Sequence, residues 1–212
     1  MRPPESWRTA RATVAIAAAT AVAFLLVHGG GLEARANSWA GFLPYRFSFD
    51  GYAPGAPLAL TPLTATLVHA DLIHLGFNLL ILLFCGRAVE GVLGPASLVI
   101  LYVIGAYAAA AGHYLVEPNS MVPMIGASGA GSAVLGAYAI LFGRNKVKVA
   151  NARAALLLNA LWLMVGWVGL QLVIGYVSNS ASIGIAIGAH IGGFIVGLAL
   201  AWPLLLFRYR KA

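Results

Sequence analysis

Charged side chains are scarce in this 212-residue chain, where Asp, Glu, Lys and Arg together make up 9% of the residues and hydrophobic residues make up 61%. Soluble domains carry about 25% charged residues, because their surfaces face water. A chain with so few charges cannot hide its apolar side chains in one soluble core. The composition therefore excludes an ordinary soluble domain and predicts an integral membrane protein in contact with the lipid bilayer.

Acidic residues and cysteine are rarer still. Six Asp and Glu stand against 13 Lys and Arg, which gives a net charge of +7, and no acidic residue follows Glu117. The basic residues do not form a patch interleaved with aromatic residues, so nucleic acid is not an expected partner. Cys85 is the single cysteine, which excludes an internal disulfide. It lies in an apolar run, where we expect it to be a small buried hydrophobic residue.

Long apolar runs dominate what is present. A helix needs about 20 apolar residues to cross a hydrocarbon core of about 30 Å. The sequence therefore predicts an all-α membrane protein, a bundle of six transmembrane helices. The predicted helices lie near residues 11–28, 64–85, 96–115, 124–142, 154–177 and 183–207.

The basic residues between these runs predict how the bundle is oriented. Only Arg35 and Arg46 fall on one side, and loops rich in Lys and Arg favour the cytoplasm. Both termini are therefore expected to be cytoplasmic, with tails at 1–10 and 208–212, a single domain at 11–207 and an external, aromatic-rich loop at 28–60 in the headgroup layer. The basic residues on the predicted cytoplasmic side are Arg2, Arg8, Arg11, Arg87, Arg144, Lys146, Lys148, Arg153, Arg208, Arg210 and Lys211.

The first apolar run also has features of a signal peptide, with a candidate cleavage site at residues 34–36. That site lies far beyond the apolar end at Val27, and the charged Glu33 and Arg35 stand where a small neutral region is expected. We therefore expect the first helix to be retained.

Polar groups within apolar runs are costly and seldom accidental, and two of them can act together in hydrolysis. These two are Ser128, flanked by Gly126 and Gly129, and His190. A serine hydroxyl attacks a carbonyl when a neutral imidazole takes its proton, and the two glycines remove bulk that would block a peptide backbone. Because no carboxylate follows Glu117, the pattern indicates hydrolysis by a Ser-His dyad rather than a triad.

Small residues at a spacing of four predict that the fourth and sixth helices pack closely and bring His190 to Ser128. The fourth helix carries Ser128, Ser132 and Gly136, and the sixth carries Gly184, Gly188, Gly193 and Gly197 in two G-x-x-x-G spacings.

The predicted second helix contains His69, His74 and Asn78. At about 100° per residue, His74 and Asn78 share a face and His69 is turned away from them. The side chains of His74 and Asn78 can donate hydrogen bonds to a developing oxyanion. A purely structural role remains open, because polar side chains also hold membrane helices together.

Other chemistries fit these residues less well. His69-x-x-x-x-His74 is not the H-E-x-x-H spacing of zinc proteases, so no metal or other cofactor is expected. Asp50 and Asp71 flank the start of the second helix, which gives an aspartyl dyad little support. A transporter using His74, His113 and His190 is also less favoured, because no intramembrane carboxylate accompanies the three histidines.

Taken in order, these motifs resemble those of the rhomboid family of intramembrane serine proteases. The similarity spans roughly residues 60 to 200, and six helices is the count of the family's minimal bacterial form. The resembling segments are His69-x-x-x-x-His74-x-x-x-Asn78, Gly126-x-Ser128-Gly129-Ala130, Ala189-His190-x-x-Gly193-x-x-x-Gly197 and, as a structural segment after the second helix, Ala88-Val89-Glu90-x-x-Leu93-Gly94.

The resemblance implies an endopeptidase of the bacterial inner membrane that cleaves single-pass transmembrane proteins in or near their transmembrane segment. It makes Ser128 the nucleophile and His190 the general base. The oxyanion would be held by His74, Asn78 and the backbone N–H of Ser128. Supporting positions would be His69, Gly126, Gly129 and Gly193.

The sequence departs from the family pattern at two places. Many relatives carry an aromatic residue four positions after the serine, against which the histidine packs, but Ser132 stands here. A Trp-Arg pair found in some bacterial members is replaced by Leu60 and Thr61. Ser132 leaves open an alternative function, a non-catalytic rhomboid-like protein that binds client transmembrane helices. No particular oligomeric state is predicted.

Overall fold

The computed structural model of the chain describes residues 10–47, 54–143, 151–177 and 187–210. These residues are mainly helical, and one isolated antiparallel bridge joins Phe42 to Met124. The α-helices in these ranges are α1 (Arg11–Gly29), α2 (Glu33–Ala40), α3 (Thr61–Thr64), α4 (Leu72–Ile81), α5 (Arg87–Leu93), α6 (Pro95–Val116), α7 (Ser128–Phe142), α8 (Ala152–Val177) and α9 (Ile187–Tyr209). Short 3₁₀-helices lie at Pro44–Phe47, Leu58–Leu60 and Ala65–Leu67, and a π-helical segment lies at Leu82–Gly86.

Four helices within the described ranges are long and apolar enough to cross a membrane: Arg11–Gly29, Leu72–Leu93, Pro95–Val116 and Ile187–Tyr209. The second of them consists of α4, the π-helical segment and α5 in one continuous run. Two more apolar stretches, Ser128–Phe142 and Ala154–Leu170, are shorter. The prediction of an all-α fold is confirmed for the part of the chain that the structure describes.

The predicted bounds of the second helix, 64–85, are wrong at both ends. The helix begins at Leu72 because Asp71 caps it, with the Asp71 side chain accepting a hydrogen bond of 2.8 Å from the backbone N–H of His74. His69 therefore lies before the helix and not within it. At the other end the chain stays helical to Leu93, so the Glu90 motif belongs to this helix and does not follow it. Hydropathy locates the apolar run but misses a polar cap at its start.

Glu90 ties this helix to the start of α1. Its carboxylate is 1% exposed and accepts hydrogen bonds from the backbone N–H of Ala12 at 2.9 Å, the backbone N–H of Thr13 at 2.7 Å and the Thr13 hydroxyl at 2.7 Å. The first N–H groups of a helix have no partner within the helix, and they carry a partial positive charge. A buried carboxylate is stable here because three donors satisfy it.

The described part of the segment that the sequence predicts to be an external loop contains regular structure. It contains α2, and Phe42 pairs with Met124 through backbone hydrogen bonds of 3.0 and 2.9 Å. Phe42 is buried with its ring 6.3 Å from that of His113, whereas Trp39 and Phe47 are each 49% exposed. Other aromatic residues of the predicted loop, Phe49 and Tyr52, lie outside the described residues.

Helices α6, α7 and α9 form the tightly packed centre, and glycines make the close approach possible. A Cβ atom built on Gly193 would collide with the carbonyl oxygen of Gly129, and one on Gly197 with that of Ala133. This agrees with the predicted contact between the fourth and sixth helices. Gly188, however, faces Gly112 of α6 rather than α7, and Gly184 lies outside the described residues.

Candidate active site

Ser128 is the first residue of α7, so the helix predicted at 124–142 starts four residues later than expected. The chain reaches it through Gly126, whose φ of +103° belongs to a region that residues with a Cβ rarely adopt. The backbone N–H of Gly126 donates to the carbonyl of Ala65 at 2.9 Å, which fixes this turn against the segment before α4. Ser128 itself is 6% exposed.

His190 lies in the first turn of α9 and is 2% exposed. Its Nε2 atom is 2.9 Å from Oγ of Ser128, within hydrogen-bonding distance. The two side chains meet because the glycines around them let α7 and α9 approach, with Gly193 facing Gly129 one turn from the histidine. The two residues that the sequence predicts to act together are thus in contact.

His74 and Asn78 lie on α4 beside the turn that precedes Ser128. A Cβ on Gly126 would lie 2.7 Å from Nε2 of His74 and 3.9 Å from Nδ2 of Asn78. Nδ1 of His74 accepts a long hydrogen bond of 3.5 Å from the backbone N–H of Ala70. This favours the His74 tautomer that carries its proton on Nε2. Asn78 donates one amide hydrogen to the carbonyl of His74 at 2.8 Å, and an amide nitrogen carries two hydrogens.

His69 supports the same turn from the non-helical segment before α4. Its Nε2 atom accepts a 3.2 Å hydrogen bond from the backbone N–H of Ala127, the residue before the serine. Burial lowers the pKa of His69 to about 3, so the ring is neutral and Nε2 remains an acceptor. The prediction that His69 is turned away from His74 is wrong, because the two rings lie 5.0 Å apart once the helix starts after His69.

A residue of α8 also reaches the site. Trp167 is 4% exposed and donates its indole N–H to Oγ of Ser132 at 2.6 Å. Ser132 in turn donates to the carbonyl of Ser128 at 2.7 Å. The Trp167 ring lies edge-to-face with the imidazole of His190, with centroids 6.2 Å apart and an interplanar angle of 62°.

Comparison with known proteins decides the family. The family model described as "Rhomboid domain" matches residues 59–207 of this chain. The chain belongs to the rhomboid family. Rhomboid protease GlpG of Enterobacter sp. (strain 638) is 33% identical to it over 141 residues, and that of Salmonella newport (strain SL254) is 32% identical over the same length. These stretches cover 66% of this chain and 46% of each relative, so the chain spans less than half the length of the curated relatives it matches.

Rhomboid membership and the four candidate spans together make this an integral membrane protein. The contacts also identify a residue near the dyad that the rhomboid motifs do not include. Trp167 belongs to no motif, and the chain has a second tryptophan on the same helix, Trp162, which is 70% exposed. A buried tryptophan needs a partner for its N–H. Nothing in the sequence says which tryptophan turns inwards or that Ser132 accepts its N–H.

Proposed function

We propose that this rhomboid is an intramembrane serine endopeptidase that uses Ser128 and His190 as a catalytic dyad. The observation that carries the proposal is the 2.9 Å contact between Ser128 Oγ and His190 Nε2, with both side chains buried. A weakly acidic hydroxyl needs an adjacent base to become a nucleophile, and a neutral imidazole at hydrogen-bonding distance is such a base. The name of the relatives, rhomboid protease, supports the same activity.

In this mechanism Ser128 Oγ attacks the carbonyl carbon of the scissile peptide bond while Nε2 of His190 takes the hydroxyl proton. The tetrahedral intermediate then collapses, and His190 gives that proton to the leaving amide nitrogen. A water molecule next attacks the acyl-enzyme, again losing its proton to His190. The serine leaves with that proton, which restores the dyad and releases the second fragment.

Negative charge builds on the carbonyl oxygen in both halves of the reaction. Ser128 is the first residue of α7, so its N–H is one of the helix donors without an intrahelical partner. Nε2 of His74 and the amide nitrogen of Asn78 lie beside the Gly126 turn, and each has a hydrogen to donate. We assign the three donors to the oxyanion. Their hydrogen bonds stabilise the transition state more than the bound substrate.

The proposed substrates are single-pass membrane proteins cut in or near the transmembrane segment. In the proposed topology, α1, α4 with α5, and α6 to α9 make six crossings, with both termini in the cytoplasm. The excess of Lys and Arg in the connecting segments on that side supports this orientation. Ser128 and His190 lie in the first turns of α7 and α9, which supports a dyad near the external face in this proposed topology. We propose that the membrane is the bacterial inner membrane.

The direct test is cleavage of a transmembrane reporter by the purified protein in liposomes. We expect Ser128→Ala and His190→Ala each to lower kcat by several orders of magnitude, because the two residues act as one unit. Ser97→Ala, which changes a buried serine on α6, is the matched control and should cleave like the unmodified chain.

A serine-directed fluorophosphonate probe gives a second readout. The unmodified chain should be labelled, and Ser128→Ala should not. Cleavage by Ser128→Ala at the normal rate would refute the assigned nucleophile. A chain that captures the reporter but neither cleaves it nor reacts with the probe would instead support the non-catalytic alternative.

A further inference from the structure

Trp167 is the described residue of α8 that reaches both halves of the proposed dyad. Its ring packs edge-to-face against the imidazole of His190. Its N–H is connected to the backbone of the nucleophile through Ser132, by bonds of 2.6 and 2.7 Å. One side chain from a third helix therefore contacts the base directly and the nucleophile through a single intermediate residue.

The hydrogen bonds fix the position of the indole. Ser132 is fully buried, and its hydroxyl accepts from Trp167 while donating to the Ser128 carbonyl, so both its donor and one acceptor site are used. In a buried site such a bond is costly to break, because the indole N–H would lose its partner. The indole is thus held in one place, and its ring forms a fixed wall beside His190.

We propose that Trp167 is a positioning residue that holds the His190 imidazole in line with the Ser128 hydroxyl. This inference rests on the proposed function. An imidazole turns about two side-chain torsions and can rotate away from its partner unless a neighbour blocks it, and proton transfer requires Nε2 within hydrogen-bonding reach of Oγ. The chain has no acidic residue after Glu117 to orient the ring from α8 or α9, and the indole supplies the orientation by packing.

The proposal also makes α8 a part of the active site. The nucleophile and base belong to α7 and α9, whose glycine contacts set the distance between the backbones. The rotation of the imidazole is set separately, by a side chain of α8. Any change that shifts α8 relative to α7 should lower the rate of the chemical step and leave the affinity for substrate largely unchanged.

The test compares Trp167→Leu with Trp162→Leu in liposomes, using the transmembrane reporter. Trp162 is on the same helix and 70% exposed, so its replacement controls for general effects of losing a tryptophan. We expect Trp167→Leu to lower kcat roughly ten- to hundredfold with little change in KM, since a misplaced catalytic group costs about this much. Trp162→Leu should keep the unmodified kcat.

A double-mutant cycle separates positioning from folding. Trp167→Phe keeps a ring beside His190 and loses the N–H, so we expect a smaller drop in kcat than for Trp167→Leu. Ser132→Ala removes the acceptor and also the bond from Ser132 to the Ser128 carbonyl, so its drop should be at least as large as that of Trp167→Phe. Both changes break the bond between Trp167 and Ser132, so the double variant should be no slower than the slower single variant. This cycle decides the matter even if Trp167→Leu does not fold.

The outcomes are distinct from those of the test of function. If the unmodified chain cleaves in a Ser128-dependent way and Trp167→Leu matches Trp162→Leu in kcat, the role of Trp167 is refuted and the dyad stands. Independent, multiplying losses for Trp167→Phe and Ser132→Ala would also overturn it. If the unmodified chain neither cleaves nor reacts with the probe, the proposed function fails and this inference fails with it.

Discussion

Helix α7 meets its two neighbours in different ways. Against α9 the contact is made by backbone, because Gly193 and Gly197 bring α9 onto the carbonyl groups of Gly129 and Ala133. Against α8 the contact near the site is made by a long side chain, Trp167, reaching to Ser132. A backbone contact leaves no freedom in the distance between two helices, whereas a side-chain contact can be lost without moving either backbone.

This difference matches what each contact has to control. The separation of Ser128 and His190 is set by how closely α7 and α9 approach, and a shift of about 1 Å in such a distance can cost a hundredfold in rate. The glycines fix that separation. Predictions that add one methyl group at different glycines can therefore test the contrast directly.

The largest effect is expected at the contact between α7 and α9. In Gly197→Ala the new Cβ would meet the carbonyl oxygen of Ala133 and lie 2.8 Å from its carbonyl carbon and 2.9 Å from its Cα. These are backbone atoms, so the helices must separate. We expect destabilisation of about 1–3 kcal/mol or more, with a lower melting temperature in detergent and at least tenfold slower cleavage of the reporter.

Gly131→Ala is the matched control. Gly131 lies on α7, the helix that Gly197 contacts, but a Cβ on Gly131 would meet no atom within 4 Å. It should melt and cleave like the unmodified chain. If Gly197→Ala did the same, the backbones of α7 and α9 would not be in contact as described.

A smaller effect is expected at the turn before the nucleophile. Gly126→Ala puts a Cβ at a φ of +103° and 2.7 Å from Nε2 of His74. The strained backbone should cost about 1–3 kcal/mol. Because the change displaces His74 from the proposed oxyanion site, kcat should fall more than the melting temperature alone explains.

The measurement is kcat for the reporter well below the melting temperature, where almost all of the protein is folded. A loss of kcat that persists there indicates a displaced oxyanion donor. If kcat of Gly126→Ala at that temperature equals kcat of the unmodified chain, Gly126 serves stability alone and the assignment of His74 to the oxyanion site is refuted.

Much of this architecture can be predicted from the sequence, because membrane helices follow from apolar length and the helix contact follows from glycine spacing. The approach of His190 to Ser128 is such a case. The start of α4 is not, since it depends on the Asp71 cap, which has no hydropathy signal. The same holds for Trp167, because the rotation of α8 about its axis decides which tryptophan is buried.

The smallest effect is expected on α8. A Cβ on Gly169 would meet no atom within 4 Å, and a glycine inside a helix costs about 0.5–1 kcal/mol relative to alanine. Gly169→Ala should therefore leave kcat unchanged and keep or slightly raise the melting temperature, the opposite direction from Gly197→Ala. A normal melting temperature combined with a raised KM would show that this face of α8 contacts the substrate. The glycines of α8 would then allow close packing of a substrate helix, as those of α9 allow close packing of α7.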